Sequence, residues 1–590
     1  MCYTPLICMS KAIATLLILS LLLSVFIIFF PVTVVNAQGS NVIRIRADGS
    51  VTGTDKIRRS GTVYTLDGDL SASVGQSEAF IFVECSNIIF NGNGYTIQGS
   101  GVGSAICLLR GQNVTVENFV IRGFSRGVDF WTVENLPSDS NYLSRPSAFG
   151  NKILNNKIDA SHDVSSERLR DVGWCIYLND ASQTVISDNV FTCQTPRGGV
   201  YLGNLTRNTS LNGNNFLGCR IYSLFSDNTV ASGNAVDGKP LIYLDGLSNQ
   251  VFNEAGLVYL FNCSNIVVKS VAPLYDYVTS IQLINTVKSE VVNSSGHVLL
   301  VNSSQNSLHN SQLSSLTLDA STYNKVFDNL ITGSSACVKL YRDSNFNTIY
   351  NNALLDTIYS VDAESVRVAG AETVAIQLGN IEFGGVFNND VKNNIIINHD
   401  CAIKSILSSN NKIAGNLLKD CITGVLLGAS HFNIFTENNV TSCQYAVGIH
   451  SASSNNTFYY NNFINNTVQC IETHFPTLFP DGDTYSAGNT WNNDTLGNYW
   501  STYTGVDADG DGIGDTPYQV FEYMIDNYPL MKLIQISTDL PQYQTIATPP
   551  QNNQQSFWHN RGNLILTISI GIIASVIISL IIYFRRLIFR

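Results

Sequence analysis

The chain has 590 residues, a formal net charge of −12, and charged side chains at only 13% of positions. An acidic balance of this size excludes nucleic acid, which selects basic surfaces, as the expected partner. With so few charges, and Asn, Ser, Thr and Gly in their place, the composition points to a β-rich exterior of uncharged polar side chains and many turns.

In chain order, Lys11 precedes an apolar run over residues 12–30, followed by Pro31 and the small-residue stretch Val35-Asn36-Ala37. This pattern predicts a secretory signal peptide over residues 1–37, cut after Ala37, with an uncleaved N-terminal anchor as the alternative. Residues 38–80 are read as an N-terminal cap, and residues 81–475 as a repeat array.

The array rests on a recurring unit. Asn324-Lys-Val-Phe-Asp-Asn-Leu-Ile, Asn347-Thr-Ile-Tyr-Asn-Asn-Ala-Leu, Asn411-Lys-Ile-Ala-Gly-Asn-Leu-Leu, Asn433-Ile-Phe-Thr-Glu-Asn-Asn-Val and Asn456-Thr-Phe-Tyr-Tyr-Asn-Asn-Phe share one pattern. The first two copies start 23 apart and the last three 22 and 23 apart, so the interval from Asn347 to Asn411 reads as three further periods. Each copy alternates apolar and polar residues, turns at Asn or Gly, and alternates again. Alternation means strand, and Asn and Gly accept the left-handed backbone of a tight corner. One such coil buries little by itself, but stacked coils share an apolar interior. The expected fold is all-β, a right-handed parallel β-helix, with the recurring Asn forming a hydrogen-bonded ladder.

Two features sit on this array. Residues 131–174 interrupt the period and gather His162, Asp163, Glu167, Arg168, Arg170 and Asp171, the best place to look for catalysis; the alternative is a solvated loop. The cysteines after Ala37 keep a similar clock: Cys85 and Cys107 are 22 apart, and Cys401, Cys421 and Cys443 are 20 and 22 apart. They are expected on one interior corner, as small buried hydrophobes rather than as disulfides between coils.

Past the array, Asp507, Asp509, Asp511, the Ile513 carbonyl and Asp515 occupy alternate positions of an oxygen-rich loop with Gly512 at its sharp turn. This spacing suits a structural calcium ion, although Tyr518 stands where an EF-hand has its bidentate Glu; Asp481 and Asp483 are candidates to complete the shell. Around the loop lie Gly488-Asn-Thr-Trp, Gly497-Asn-Tyr-Trp-Ser501 and Asp526-Asn-Tyr-Pro-Leu-Met531. With Asn91-Gly-Asn-Gly-Tyr-Thr-Ile97 and Asn234-Ala-Val-Asp-Gly-Lys-Pro-Leu-Ile-Tyr243 in the array, these resemble the NosD family, surface proteins of archaeal and bacterial type built of parallel β-helix repeats. The resemblance implies a C-terminal cap over residues 476–533. Trp491, Tyr499, Trp500 and Tyr503 are expected to cover the apolar bore there.

Residues 534–560 are rich in Pro, Gln and Asn and read as a stalk. Residues 561–584, with an apolar run from Leu564, are long enough to span a bilayer, and Arg585, Arg586 and Arg590 place residues 585–590 in the cytoplasm. The chain is thus expected in the cell membrane as a single-pass protein with an extracellular N-terminal ectodomain. Sequons at Asn113, Asn204, Asn208, Asn262, Asn293, Asn302, Asn439, Asn455, Asn465 and Asn493 permit glycosylation of such an ectodomain.

Three functions are weighed. The first is a non-catalytic protein that binds glycans or surface proteins, or forms part of a coat. The second is a carbohydrate-active enzyme, a polysaccharide lyase, hydrolase or epimerase, for which no paired-carboxylate motif is present. The third, implied by the NosD resemblance, is copper handling; the eight His are scattered, although His431 and His450, 19 apart, are placed to approach one another on adjacent coils.

Overall fold

The computed structural model describes residues 42–75, 78–109, 111–130, 148–160, 173–179, 181–193, 198–203, 206–223, 228–231, 233–273, 279–333, 336–356, 373–450, 452–473 and 488–536. The signal segment, stalk, apolar C-terminal run and tail lie outside them, as do Asp481 and Asp483. Among the described residues there is no helix, and so none long and apolar enough to cross a membrane. The chain divides into two compact units, residues 1–210 with 221–228 and residues 211–220 with 229–590.

The first unit is built from parallel ladders. In one, Ile43–Ile45, Ala79–Val83, Ser104–Leu108, Arg126–Phe130, Trp174–Leu178 and Gly199–Leu202 pair in succession. In another, Val63–Leu66, Ile89–Asn91, Thr115–Glu117, Lys152–Leu154 and Val185–Ser187 do the same. A third runs from Leu70–Ser71 through Thr96–Gln98, Val120–Phe124 and Lys157–Ala160 to Val190–Cys193. Register explains the interior. Ile43, Ile81, Ile106, Val128, Ile176 and Val200 lie directly over one another, as do Tyr64, Phe90, Val116, Ile153 and Ile186, and all are buried. This is the sequence alternation turned into a stack: every second side chain of each strand enters one shared core. The parallel ladders reach back to Ile43, ahead of residue 81, with antiparallel pairs at Ile43–Ile45 with Val51–Thr52 and at Ile57–Ser60 with Val63–Leu66.

The second unit repeats the plan. One ten-stranded sheet runs from Ser248–Phe252 to Thr457–Tyr459. A face of longer strands begins at Lys239–Asp245 and passes through Thr279–Ile284, Ser295–Val301, Gln312–Asp319, Ala336–Tyr341, Val374–Leu378 and Cys401–Ile406 to Val468–Thr473. The third stack ends where Tyr499–Trp500 pairs in parallel with Asn462–Ile464.

The recurring Asn residues form the expected ladder, in two copies. Asn306, Asn324, Asn347, Asn389, Asn411, Asn433, Asn456 and Asn489 make one, and Asn329, Asn352, Asn394, Asn416, Asn438, Asn461 and Asn498 the other. After the first rungs, Asn306 and Asn329, which accept from Ser289 N and Ser311 N, each Oδ1 accepts from the backbone N–H and the Nδ2–H of the Asn one coil earlier, as Asn433 Oδ1 does from Asn411 at 2.9 and 3.0 Å. Nδ2 also reaches a backbone carbonyl, that of Val386 in the case of Asn411. The amide therefore satisfies buried corner groups that would otherwise be left unpaired.

The interval from Asn347 to Asn411 corrects the expected period. Asn347 is followed directly by Asn389, 42 residues on, and then by Asn411 after 22. The interval is two coils and not three, because the coil from Asn347 to Asn389 is 42 residues long. Elsewhere coils shorten to 17 and 18 residues, from Ser289 to Asn306 and on to Asn324.

The cysteines also depart from expectation. Cys107 pairs with Phe82 and Asp129, not Cys85, and Cys401 lies over Val374 and under Thr423. A fixed sequence interval does not hold register when coil length varies. Of the five cysteines spaced at 20 and 22 residues, only Cys421 and Cys443 keep a shared corner, in a column where the carbonyls of His399, Cys421 and Cys443 each accept from the next coil. The Cys443 backbone N–H donates to Asn466 Oδ1, so these thiols occupy the ladder position that Asn fills elsewhere. Cys85, Cys107, Cys175, Cys263, Cys337, Cys401, Cys421, Cys443 and Cys470 are buried, as the small-hydrophobe reading expects; Cys193 and Cys219 are in disulfide form, as the alternative allows.

Candidate functional site

The cluster His162, Asp163, Glu167, Arg168, Arg170 and Asp171 lies outside the described residues. The acidic loop is described. Gly510 and Gly512, both with positive φ, let the backbone fold around Asp507, whose Oδ1 accepts from Gly510 N at 2.7 Å and Oδ2 from Gly512 N at 2.9 Å. Asp509 accepts from the Asp511 amide and Asp511 from the Ile513 amide. Carboxylate oxygens of Asp507, Asp509 and Asp511 come within 4.8 Å of one another. Asp515 stands apart from that group: its Oδ2 accepts from Ala508 N at 2.8 Å and closes the loop. Desolvation, the largest single influence, opposes ionisation of Asp507, but hydrogen bonds from the Gly512 and Gly510 amides and from Asp509 and Asp511 together hold the carboxyl below its ordinary pKa. Ile513 forms an antiparallel bridge with Leu530, which ties the loop to residues 529–531. The arrangement offers three carboxylates to a hard cation.

The Trp residues of this segment are interior, as expected. Trp491 stacks on Phe458 at 4.6 Å and Trp500 on Phe463 at 4.3 Å, both fully buried within the core of the second unit. Tyr499 and Tyr503 are only half-buried. Asp526 is buried beneath them and accepts from Asn498 N, Trp500 Nε1 and Tyr528 N at 2.7, 2.9 and 3.1 Å.

A second site was not anticipated. On the first unit, strand pairing sets Asp129, Tyr177 and Tyr201 side by side in successive coils. Tyr177 and Tyr201 stack at 4.5 Å and 6°, and Tyr222 continues the row at 5.3 Å and 10°. All three rings are half-buried, and the buried Trp174 packs against Tyr201 and Tyr222. Arg126 covers Tyr177 at 5.1 Å and donates to Asp129 Oδ2 at 2.8 Å, which also accepts from Ser104 Oγ at 2.8 Å. Asp129 is 2% exposed, so its charge is held by a partner on each side. The sequence signal was present, since Tyr177, Tyr201 and Tyr222 recur at close to the coil spacing. It was hidden because the strands here look apolar throughout.

The histidines do not converge. His431 bridges to Ser409 and Ser454, with Nδ1 3.0 Å from Ser454 Oγ, so His450 is not its neighbour in the stack. His450 is buried and its Nδ1 accepts from Ala452 N. His309 pairs with Glu290 at 2.9 Å. Among the described residues no histidine joins a cluster of three ligand-type side chains.

Residues 357–505 match the NosD family, described as periplasmic copper-binding protein. The described histidines do not fit a copper centre, which needs His, Met or Cys side chains gathered at one point. No curated protein sequence matches the chain. Among solved structures the chain is similar to a DFA-IIIase from Arthrobacter chlorophenolicus A6, at 11% identity over 62% of this chain and 68% of that one, with TM-score 0.18. It is also similar to the A-module of the mannuronan C-5 epimerase AlgE6 of Azotobacter vinelandii, at 10% identity over 75% and 89%, TM-score 0.21. PfbA, a surface adhesin of Streptococcus pneumoniae, matches at 11% identity over 67% and 85%, TM-score 0.23. None of these likenesses transfers a ligand or an activity.

Proposed function

From the premise that this is a NosD-like parallel β-helix protein, we propose that it is an exported, membrane-anchored surface protein that binds glycans without transforming them. The observation that carries the reading is the row Tyr177, Tyr201 and Tyr222 beside Arg126. Tyrosine offers an apolar body and a polar tip, the combination that a sugar ring with its hydroxyls requires. A surface that repeats once per coil suits a ligand that itself repeats. Export and anchoring follow from residues 1–37 and 561–584.

A glycan array on the full chain tests this. Specific glycans are expected to bind, and the Tyr177→Ala/Tyr201→Ala double variant to bind them at least about 10-fold more weakly, at about 1.4 kcal/mol per decade. A wild-type chain that binds no glycan, or a folded variant that binds like wild type, would sink the reading.

The same proposal includes a structural calcium ion held by Asp507, Asp509 and Asp511, which locks the segment that closes the second unit's core at Trp491 and Trp500. At a free concentration about 100 times Kd, binding adds about 2.7 kcal/mol to stability. Calcium is therefore expected to raise the melting temperature by a few degrees, EDTA to reverse the rise, and Asp509→Asn/Asp511→Asn to remove it. An unchanged melt on addition and chelation would exclude the ion.

A further inference from the structure

Coils of the second unit enter the ten-stranded sheet through a corner residue with positive φ. The backbone N–H of each corner donates to the residue just ahead of the next corner, which fixes the column. Gln305 donates to Thr322, Tyr323 to Asn345, Phe346 to Phe387, Asn388 to Ser409, Asn410 to His431 and Phe432 to Ser454. Asn suits this position because its short polar side chain tolerates a left-handed backbone, and Asn265, Asn388, Asn410 and Asn455 occupy it. Tyr323, Phe346 and Phe432 occupy it too, at φ 57, 59 and 56.

A bulky ring at such a corner strains the backbone. These three gain little burial in return, since they are 55%, 45% and 56% exposed. Tyr323 and Phe346 stack on one another at 5.0 Å and 5°, so they stand out from the rod as one apolar block. Rings that are strained and exposed at once serve neither the corner nor the core, and strain of this kind gathers at ligand sites.

The column itself limits the ligand. Phe432 stands three coils beyond Phe346, about 14 Å along the stack. Between them lie Asn388 and Asn410, both exposed, with side-chain amides that have no partner among the described residues. From Gln305 to Asn455 no corner residue is charged, in a chain of net charge −12. The partner that fits is straight, long enough to bridge two apolar contacts, uncharged, and able both to donate and to accept hydrogen bonds. A second copy of the chain does not fit: a stable protein interface takes roughly 800 Å² from each partner, and this ridge is one residue wide.

We propose that the corner column from Tyr323 to Phe432 binds a linear neutral oligosaccharide. Its C–H surfaces pack against the Tyr323–Phe346 block and Phe432, and its hydroxyls meet the amides of Asn388 and Asn410. The site stands on its own residues and does not depend on the tyrosine row of the first unit.

The test is calorimetric titration of the full chain with the linear neutral hexaoses of glucose, mannose and xylose, and with hexagalacturonate. At least one neutral hexaose is expected to bind, and hexagalacturonate not to. Tyr323→Asn/Phe346→Asn and Phe432→Asn install the residue that other coils use at this corner. Each is therefore expected to melt like wild type and to weaken binding at least about 10-fold. Tyr177→Ala/Tyr201→Ala should retain a binding component that Tyr323→Asn/Phe346→Asn abolishes, which separates this site from the tyrosine row. No binding of any neutral hexaose by wild type, binding of hexagalacturonate alone, or unweakened binding by the Asn variants overturns the proposal. So does a wild-type dimer in sedimentation that Tyr323→Asn/Phe346→Asn dissociates, which assigns the ridge to a second copy. Phe432→Asn decides the matter if the double variant does not fold.

Discussion

Asn411→Leu is expected to destabilise the second unit by about 3–5 kcal/mol, with the loss concentrated in the coils on either side. The substitution keeps the corner filled but removes both ends of the amide. Asn389 loses the acceptor for its backbone N–H at 2.9 Å and for its Nδ2–H at 3.1 Å. The Val386 carbonyl loses its donor at 3.1 Å. The Asn389 backbone N–H is left buried without an acceptor, at about 1–3 kcal/mol, while the Val386 carbonyl keeps the Ser409 N–H and Asn389 Nδ2 keeps the Phe387 carbonyl, so each of those lost bonds costs about 1 kcal/mol. In a stacked array each coil touches only its neighbours, so the damage should spread one coil each way and fade. Native-state hydrogen exchange reads this directly: the Asn389 amide and those of the flanking coils should lose protection, while coils near Asn306 keep theirs. Lys412→Ala, one residue along and exposed, is the control and should change stability by less than about 0.5 kcal/mol. Equal protection in Asn411→Leu and wild type would show that the ladder contributes nothing.

That ladder was legible because its chemistry forces one residue type onto one position. Only a side chain that accepts and donates together can serve the corner of the coil before it and the carbonyl behind it, so Asn recurs and the eye finds it. Coil length is under no such constraint. A coil of 17 residues and one of 42 close the same corner, from Ser289 to Asn306 and from Asn347 to Asn389. Counting residues therefore misplaced a coil between Asn347 and Asn411 and aligned Cys401 with Cys421, which register separates. The acidic loop was half legible. Alternation of carboxylates predicted that they meet, and Asp507, Asp509 and Asp511 do, but Asp515 is drawn off by the Ala508 amide. The tyrosine row was invisible for a further reason. It is assembled by register between strands that lie a coil apart in the sequence. In strands such as Trp174–Leu178, buried at nearly every position, alternation no longer tells the inside from the outside.

Asp526→Ala is expected to cost about 3–5 kcal/mol and to loosen the packing of Trp491 and Trp500 before the coils melt. Oδ2 accepts from Asn498 N at 2.7 Å and Trp500 Nε1 at 2.9 Å, and Oδ1 from Tyr528 N at 3.1 Å. The carboxylate thus joins the last rung of an Asn ladder, the last parallel strand and the turn after Met524–Asp526. The fit is tight, since a Cβ on Gly497 would collide with Oδ1. Truncation leaves three buried donors without an acceptor, and hydrogen bonds to a charged acceptor are worth more than neutral ones. Asp526→Asn should cost less, about 1–2 kcal/mol, because one oxygen can still serve Asn498 and Trp500 while only Tyr528 N meets a donor. The two carboxyl-free variants also separate shape from charge. Burial raises the pKa of Asp526 above its ordinary 3.8, against the opposing pull of Trp500 and Asn498. The folded state therefore holds the proton more strongly than the unfolded chain. Its stabilising contribution is complete below the ordinary value and is lost as pH rises through the raised one. The stability of wild type relative to Asp526→Asn should accordingly be greater on the acid side of that window than on the neutral side, read from paired melts followed by the fluorescence of the buried tryptophans. A gap that widens toward neutral pH would mean that the donors outweigh burial and that the carboxylate is stabilised in its ionised form.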